Sequence, residues 1–314
     1  MAKVRCVEEL VQEFHKTRLI RGGSLIITVY GDAITPHGGT VWLGSLIALL
    51  APLGLNQRLV RTAVFRLSKD GWLTSQQVGR RSFYSITESG KRRFENAFRR
   101  IYAKPYVKWD GMWRIVITSQ IENAQREALR RELGWLGFGT IAAGVMAHPM
   151  VDIESVTETS QELGVQDDVI VMHAHKDDLS SLQPLKRLVR ECWNLEQLAQ
   201  DYQRFLDRFR PILKALEGIS DLEPEQCFKT RTLLIHEYRR ILLRDPQLPD
   251  ELLPSEWAGA SGRLLCRNLY RLIQEPAEQH LLRVLETADG AVPEVAPYFY
   301  RRFGGLRDAD AIQM

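Results

Sequence analysis

Residues 53–86 read LGLNQRLVRTAVFRLSKDGWLTSQQVGRRSFYSI, and the fold turns on this stretch. Asn56 is placed to cap a helix, its side-chain oxygen accepting from an early backbone N–H, and Gly71 to end it as a left-handed residue. Fourteen residues with neither Pro nor Gly lie between them. Val60, Ala63, Val64 and Leu67 fall on one face at helical spacing. Arg58, Arg61, Thr62, Phe65 and Lys69 step along the other with Arg66 beside them, and no acid interrupts before Asp70. A solvated helix can carry such a basic face by composition alone. The face also suits a polyanion, because each cation that neutralises a phosphate releases a counterion and Arg can pair bidentately with guanine. Trp72–Val78 then reads as a strand, Gly79-Arg80-Arg81-Ser82 as a turn, and Phe83–Ile86 as the returning strand. A hairpin tipped with Gly-Arg-Arg suits a DNA backbone or a narrow minor groove. Helix and hairpin together have the form of the recognition helix and wing of a winged helix-turn-helix.

Upstream, VEELVQEFHKTRLI forms a short helix or arm. Ser24 is expected to cap LIITVYGDAI, read as the first helix of the winged module because a supporting helix is needed there. Thr35-Pro36-His37-Gly38-Gly39 is a loop. Thr40 is expected to cap VWLGSLIALLA, the helix that would cross the DNA backbone, and Pro52, Leu53 and Gly54 supply the turn into Asn56. Downstream, 88–108 is a basic helix ending near Pro105, whose Lys91, Arg92, Arg93, Arg99 and Arg100 either add phosphate contacts or form a solvated face.

The chain has 314 residues and a formal net charge of +3, which conceals a segregation. Residues 1–108 hold 18 Lys and Arg against 7 Asp and Glu, a net of +11; the remainder holds 24 against 32, a net of −8. That asymmetry points to a nucleic-acid module joined to an acidic body. At roughly 150 residues per domain, two or three domains are expected. No apolar run reaches the ~18 residues that span a bilayer, and Glu8, Glu9 and Glu13 interrupt any secretory signal. Cys6, Cys192, Cys227 and Cys266 are scattered without a CxxC, as suits reduced thiols in a cytoplasm.

The stretch YGDAITPHGGTVWLGSLIALLAPLGLNQRLVRTAVFRLSKDGWLTSQQVGRRSFYSITESG resembles the PaaX-type transcriptional repressors, which control phenylacetate degradation. The particular part is VRTAVFRL…GW…GRRSFY. The likeness is strongest over 24–120 and runs through Trp109-Asp110-Gly111-Met112-Trp113-Arg114 into the C-terminal part. The resemblance implies a homodimeric repressor with phenylacetyl-CoA as its inducing ligand. It also implies a middle domain similar to the ferredoxin-like nucleases of CRISPR adaptation, which place a metal-binding Asp just after the first strand. Here that position reads Thr118-Ser119-Gln120, so dimer assembly is expected rather than nuclease chemistry.

The residues of 109–180 agree with such a domain. WRIVIT (113–118) is a strand candidate, Asn123 is expected to cap AQREALRRELGWLG, and 141–147 and 169–173 supply further strands, as in a ferredoxin-like α+β sandwich. His173, His175 and Asp177 could hold a metal, but no fourth ligand is nearby and a polar strand end is preferred. From Leu182 the chain turns helical. Leu195, Leu198, Tyr202, Phe205, Phe209, Ile212 and Leu216 alternate by three and four in a helix–helix seam that Pro211 is expected to kink or break. CFKTRTLLIHEYRRILLRDP is another helix, and 261–274 and 277–287 are two more, separated at Pro276. The last residues of PYFYRRFGGLRDADAIQM are expected to be disordered.

An acyl-CoA needs cations for its phosphates and an apolar slot. Tyr238, Arg239, Arg240, Arg263, Arg267, Tyr270, Arg271, Tyr298, Phe299, Arg301 and Arg302 have that chemistry, as would the surface and core of any arginine-rich bundle. No Gly-rich phosphate loop, GxSxG, HExxH or base-paired cysteine is found, so no catalysis is expected. The expectation is a mostly helical α+β protein: a winged helix-turn-helix with linker helix over 1–108, a ferredoxin-like domain over 109–180 and a helical domain over 181–314. It binds operator DNA through Arg58, Arg61, Thr62, Phe65, Arg66, Lys69, Arg80 and Arg81, needs no cofactor or metal, and answers to phenylacetyl-CoA. An activator with the same module, a nucleic-acid-processing protein and an acyl-CoA enzyme carrying an inert basic domain are the rivals.

Overall fold

The computed structural model describes residues 4–16, 22–102, 108–175, 182–288 and 290–306. Pro105, Asp177, the side chain of Arg99 and the tail from 307 onward lie outside the described residues. In chain order, α1 (Arg5–Lys16) precedes α2 (Gly22–Val29), which widens into a π turn over Tyr30–Ile34. Then come β1 (Thr40–Trp42), α3 (Leu43–Leu50), α4 (Gln57–Lys69), β2 (Leu73–Val78), β3 (Arg81–Ile86) and α5 (Glu88–Tyr102). β4 (Met112–Ile117), α6 (Asn123–Leu136), β5 (Gly139–Ala142), β6 (Val145–His148), α7 (Ile153–Glu162) and β7 (Ile170–His175) follow. Helices α8 (Gln183–Cys192), α9 (Leu195–Leu216), α10 (Pro224–Leu242) and α11 (Ala258–Val284) complete the order.

The chain packs as two units, one of 1–105, 204–239 and 261–314, the other of 106–203 and 240–260. Helices α9, α10 and α11 contribute residues to both.

In the first unit, α2, α3 and α4 form the helical part of a winged helix and β1-β3-β2 its sheet. The sequence expectation placed Thr40 as a helix cap. Instead Thr40–Trp42 is a strand, with Trp42 opposite Phe83, and α3 begins at Leu43 with no side-chain cap. Three residues are too few to show a strand period, and only β3 makes them one. Ser24 does not cap either: α2 starts at Gly22, and the Ser24 carbonyl accepts from Thr28 Oγ1 at 3.1 Å. Gly54, at φ 88°, closes the turn between α3 and α4, and a Cβ there would lie 2.5 Å from the His15 ring.

The core of this unit holds a charge network. The π turn carries Asp32, an acid in an otherwise apolar run and now 2% exposed. Its Oδ1 accepts from Tyr102 OH at 2.6 Å, Tyr270 OH at 3.0 Å and Arg302 Nη1 at 3.1 Å, and Oδ2 lies 2.9 Å from Arg231 Nε. Arg231 also pairs with Glu278, whose other oxygen meets His37 Nε2 at 2.7 Å. Arg302 donates to the backbone carbonyl of Asp32 and stacks 4.2 Å from the Tyr102 ring centroid. The network thus ties the π turn and α5 to α10, α11 and the C-terminal segment.

The second unit is a four-stranded antiparallel sheet, order β5-β6-β4-β7, in a β4-α6-β5-β6-α7-β7 sequence: a ferredoxin-like arrangement. Val116 and Met146 face Leu129 and Leu133 of α6 and Val156 of α7. Trp113 and Ile115 face the opposite way, against Val189, Trp193 and Leu248, so both faces of β4 are covered. The stretch 141–147, expected as part of one strand, is a hairpin turning near Gly144 (φ 71°), and the short α7 went unread. Asn123 is the first residue of α6 rather than its cap, which is Glu122 with no side-chain bond. His148 Nδ1 accepts from the N–H groups of Met150 and Val151, so Nε2 carries the proton donated to Pro246 O at 2.7 Å.

Neither Pro211, where a kink or a break was expected, nor Pro276, where two helices were expected to separate, interrupts its helix. α9 runs through Pro211 and α11 through Pro276. Each proline costs a backbone hydrogen bond, but buried Phe209, Ile212 and Leu216 on α9, and Ile273, Ala277 and Leu281 on α11, hold the helix on both sides of it.

Removing the Asp32 charge leaves two fully buried guanidinium groups short of an anion. Asp32→Ala is expected to cost about 3–5 kcal/mol in urea unfolding, far more than an exposed Asp→Ala such as Asp70→Ala. Burial alone would raise the Glu278 pKa, but Arg231 and then the His37 contact outweigh it and hold the carboxyl at about 2, against an ordinary value of 4.5. A depressed folded-state pKa means that this contribution is complete above pH 4.5 and is lost as pH falls toward 2. Unfolding free energy should therefore fall over that window, and Glu278→Gln should flatten the fall.

Candidate nucleic-acid interface

Helix α4 is built as its pattern demands. Asn56 Oδ1 accepts from Leu59 N–H at 2.9 Å, and the chain turns out of the helix at Gly71 with φ 72°. Val60, Val64 and Leu67 are buried, with Ala63 half-buried, where α4 packs on α2. Arg58, Arg61, Thr62, Phe65, Arg66 and Lys69 are all exposed. Thr62 Oγ1 donates to the Arg58 carbonyl at 2.9 Å, which spends its proton and leaves its lone pairs able to accept. Phe65 is 70% exposed, so it does not pack on the hairpin. Leu59, 51% exposed on the same face, was missed; its spacing of three from Thr62 and seven from Arg66 was the available signal. Two bare apolar side chains among four cations suit the methyl groups of thymine as the cations suit phosphate and guanine.

The hairpin is tighter than expected. Val78 pairs with Arg81, so the tip is the two residues Gly79 and Arg80, with Gly79 at φ 60° as such turns require. Gln77 Nε2 bonds the Gly79 carbonyl at 3.1 Å across the tip. Arg80 is exposed at the end. Arg81 begins the returning strand, with its guanidinium 4.5 Å from the Trp42 ring centroid and 2.5 Å from a Glu286 carboxylate oxygen. On α5, Arg92 is exposed, Lys91 pairs with Glu88 at 2.7 Å, and Arg93 lies 4.9 Å from the Trp72 ring centroid.

The C-terminal residues picked for an acyl-CoA separate. Tyr270 and Arg302 are fully buried on Asp32, and Tyr238 is buried with its ring 5.5 Å from Phe205. Arg239 donates to Ser24 Oγ at 2.8 Å. Tyr298 packs on Phe98, Arg263, Arg267 and Arg271 are half-buried along α11, and Arg301 is exposed. All nine belong to the same packing unit as α4 and the hairpin. In the other unit, His173 and His175 are exposed on β7, and among the described residues no group of three or more His, Cys, Asp or Glu is arranged to hold a metal. Thr118 is buried, with Oγ1 3.3 Å from the Gly144 carbonyl.

Comparison with known proteins settles the family. The PaaX-like protein family matches residues 21–90, the PaaX protein central Cas2-like domain matches 106–185, and the PaaX-like protein C-terminal domain matches 193–283. The chain is 40% identical over 288 residues to the transcriptional repressor PaaX of Escherichia coli, covering 91% of each. The chain belongs to the PaaX-like family. It is a PaaX-like transcriptional repressor rather than an enzyme, and its middle domain is the Cas2-like, ferredoxin-like one that the sequence suggested. A solved structure, the uncharacterized protein Rv0674 from Mycobacterium tuberculosis, shares the fold with a TM-score of 0.51 at 23% identity, over 81% of this chain and 96% of that one.

In this PaaX-like chain the cap that starts α4 is a single side chain. Asn56→Ala should cost about 1 kcal/mol of stability, and Asn56→Asp should restore it, as read from chemical denaturation midpoints.

Proposed function

We propose that the protein represses phenylacetate catabolic genes by binding operator DNA as a homodimer in the cytoplasm, and that phenylacetyl-CoA releases it. The observation that carries the DNA-binding part is the exposed, acid-free face of α4 next to an arginine-tipped hairpin. Arg58, Arg61, Thr62 and Arg66 read bases or fix register, with Phe65 and Leu59 against thymine methyls. Lys69, Arg80 and Arg81 take phosphates. Two copies place two such helices in successive major grooves, about 34–36 Å apart or a multiple of it.

Residues 1–108 carry the DNA contacts in this reading, 109–180 the dimer, and 181–314 the effector. Strand β7, an edge of the ferredoxin-like sheet, supports the second role: Ile170, Val171 and Met172 are exposed on a strand with no charged residue to discourage pairing. For the effector, the half-buried arginines of α11 with exposed Arg301 are the more accessible part of the set, because Arg302 and Tyr270 are fully buried. The ligand's effect on DNA equals its differential affinity for the free and DNA-bound forms.

Phenylacetyl-CoA should release operator DNA in a gel shift while free phenylacetate does not; a complex indifferent to both removes the effector assignment and leaves the DNA reading standing. Arg61→Ala should weaken operator binding by roughly 1–3 kcal/mol if Arg61 reads a base. An equal loss on operator and random duplex assigns Arg61 to phosphate.

A further inference from the structure

Arg81 is the wing cation with a bound anion already in place. The anion is Glu286, two residues beyond α11 and 205 residues away in sequence. We propose that Glu286 is a built-in competitor for DNA phosphate at Arg81, a residue outside the winged helix that sets how tightly the wing holds a duplex. The inference rests on the proposed role of Arg81 in DNA binding.

Three observations carry it. First, Glu286 is placed by its backbone. Its N–H donates to Ser45 Oγ at 3.1 Å, and its carbonyl accepts from Trp42 N–H at 2.9 Å. The backbone of Glu286 is therefore pinned to β1 and α3, beside the strand that carries Arg81. Second, the pinning continues along the chain in antiparallel order. Pro293 O meets His37 Nδ1 at 2.9 Å, Ala296 N–H donates to Pro36 O at 2.9 Å, and Arg302 reaches Asp32 and Gly31. Residues 286–288 and 290–302 thus run along 45–31 in the opposite direction, anchored at the far end in the buried charge network. Third, the Arg81–Glu286 pair is open to solvent. The side chains are 53% and 46% exposed, so the pair is weak and a phosphate can replace the carboxylate with the same chemistry. Arg81 meanwhile lies over the Trp42 ring, 4.5 Å from its centroid, which holds the guanidinium in place whichever anion it meets.

A duplex of any sequence that takes Arg81 must first displace a carboxylate that remains beside it. The cost falls on the electrostatic part of binding, which is all that a random duplex has. Glu286 thereby lowers affinity for DNA in general, and the wing supplies one phosphate contact fewer than its arginines allow until it is displaced.

The test uses the full-length protein on a labelled random-sequence duplex, with affinity measured over a range of KCl concentrations for the wild type, Glu286→Gln, Arg81→Ala and the double variant. Glu286→Gln keeps the shape and the backbone bonds and removes the charge; thermal melts check that it folds like the wild type. The expected result is tighter binding by roughly three- to tenfold and a salt slope steeper by about one phosphate, with both gains absent in the Arg81→Ala background. Wild-type affinity and slope for Glu286→Gln, or weaker binding, overturn the proposal. So does an equal gain with and without Arg81, which marks a change in general charge only. If Arg81→Ala leaves affinity and slope unchanged in both backgrounds, the assignment of Arg81 to DNA fails, and that outcome is distinct because it does not depend on Glu286.

Discussion

One carboxylate decides how the first unit holds together. Asp32 sits in the π turn after α2, and everything that neutralises it arrives from elsewhere: Tyr102 from the end of α5, Arg231 from α10, Tyr270 from α11 and Arg302 from the C-terminal segment. A carboxylate this deep is tolerable only if charge and hydrogen bonds surround it. The partners in turn require it, since Arg231 and Arg302 are themselves fully buried. Such a set is complete or it is costly, so the winged helix and the C-terminal helices cannot be arranged independently within the unit.

That mutual requirement changes what the winged module is. It is not a bead on a linker. The end of α5, the segment of 290–302 and the base of the wing share one packing unit, and Glu286, just after α11, reaches a wing arginine. In this PaaX-like chain the end of α11 is thus bonded directly to β1 and α3 of the winged helix. The backbone bonds of Glu286 to Trp42 and Ser45 give any displacement of the end of α11 a consequence at β1.

The cations of α4 and of the hairpin differ in what surrounds them. On α4 the cations and the two apolar side chains are exposed. On the wing, Arg80 is exposed and Arg81 is paired with Glu286. The acidic remainder of the chain supplies the holding group, so two parts of the sequence with opposite net charge meet at the wing. Elsewhere the exposed cations of α5 are modest neighbours: one is paired to Glu88, another rests on Trp72.

Local pattern carried a good part of this. The cap at Asn56, the apolar stripe Val60-Val64-Leu67, the cationic face and the glycine-tipped hairpin are all properties of neighbours within a few residues, where helical and strand periods are legible. So was the seam of α9, buried along its whole length. The prolines misled because their local cost is real but smaller than the packing that surrounds Pro211 and Pro276. β1 was invisible because three residues have no period, and pairing to β3 alone makes a strand of them. The charge network could not be read at all: Asp32, Arg231 and Arg302 are about two hundred or more residues apart in part, and nothing in their own surroundings says that they meet. Of the C-terminal arginines, composition could say that they were many; only the tertiary structure decided which are spent on the core and which face out. The sequence by itself determined the elements and the chemistry of their faces, because those follow from short-range sterics and hydrophobic spacing. The tertiary structure decided the partners of each buried charge, because complementarity between distant segments exists only once they are packed together.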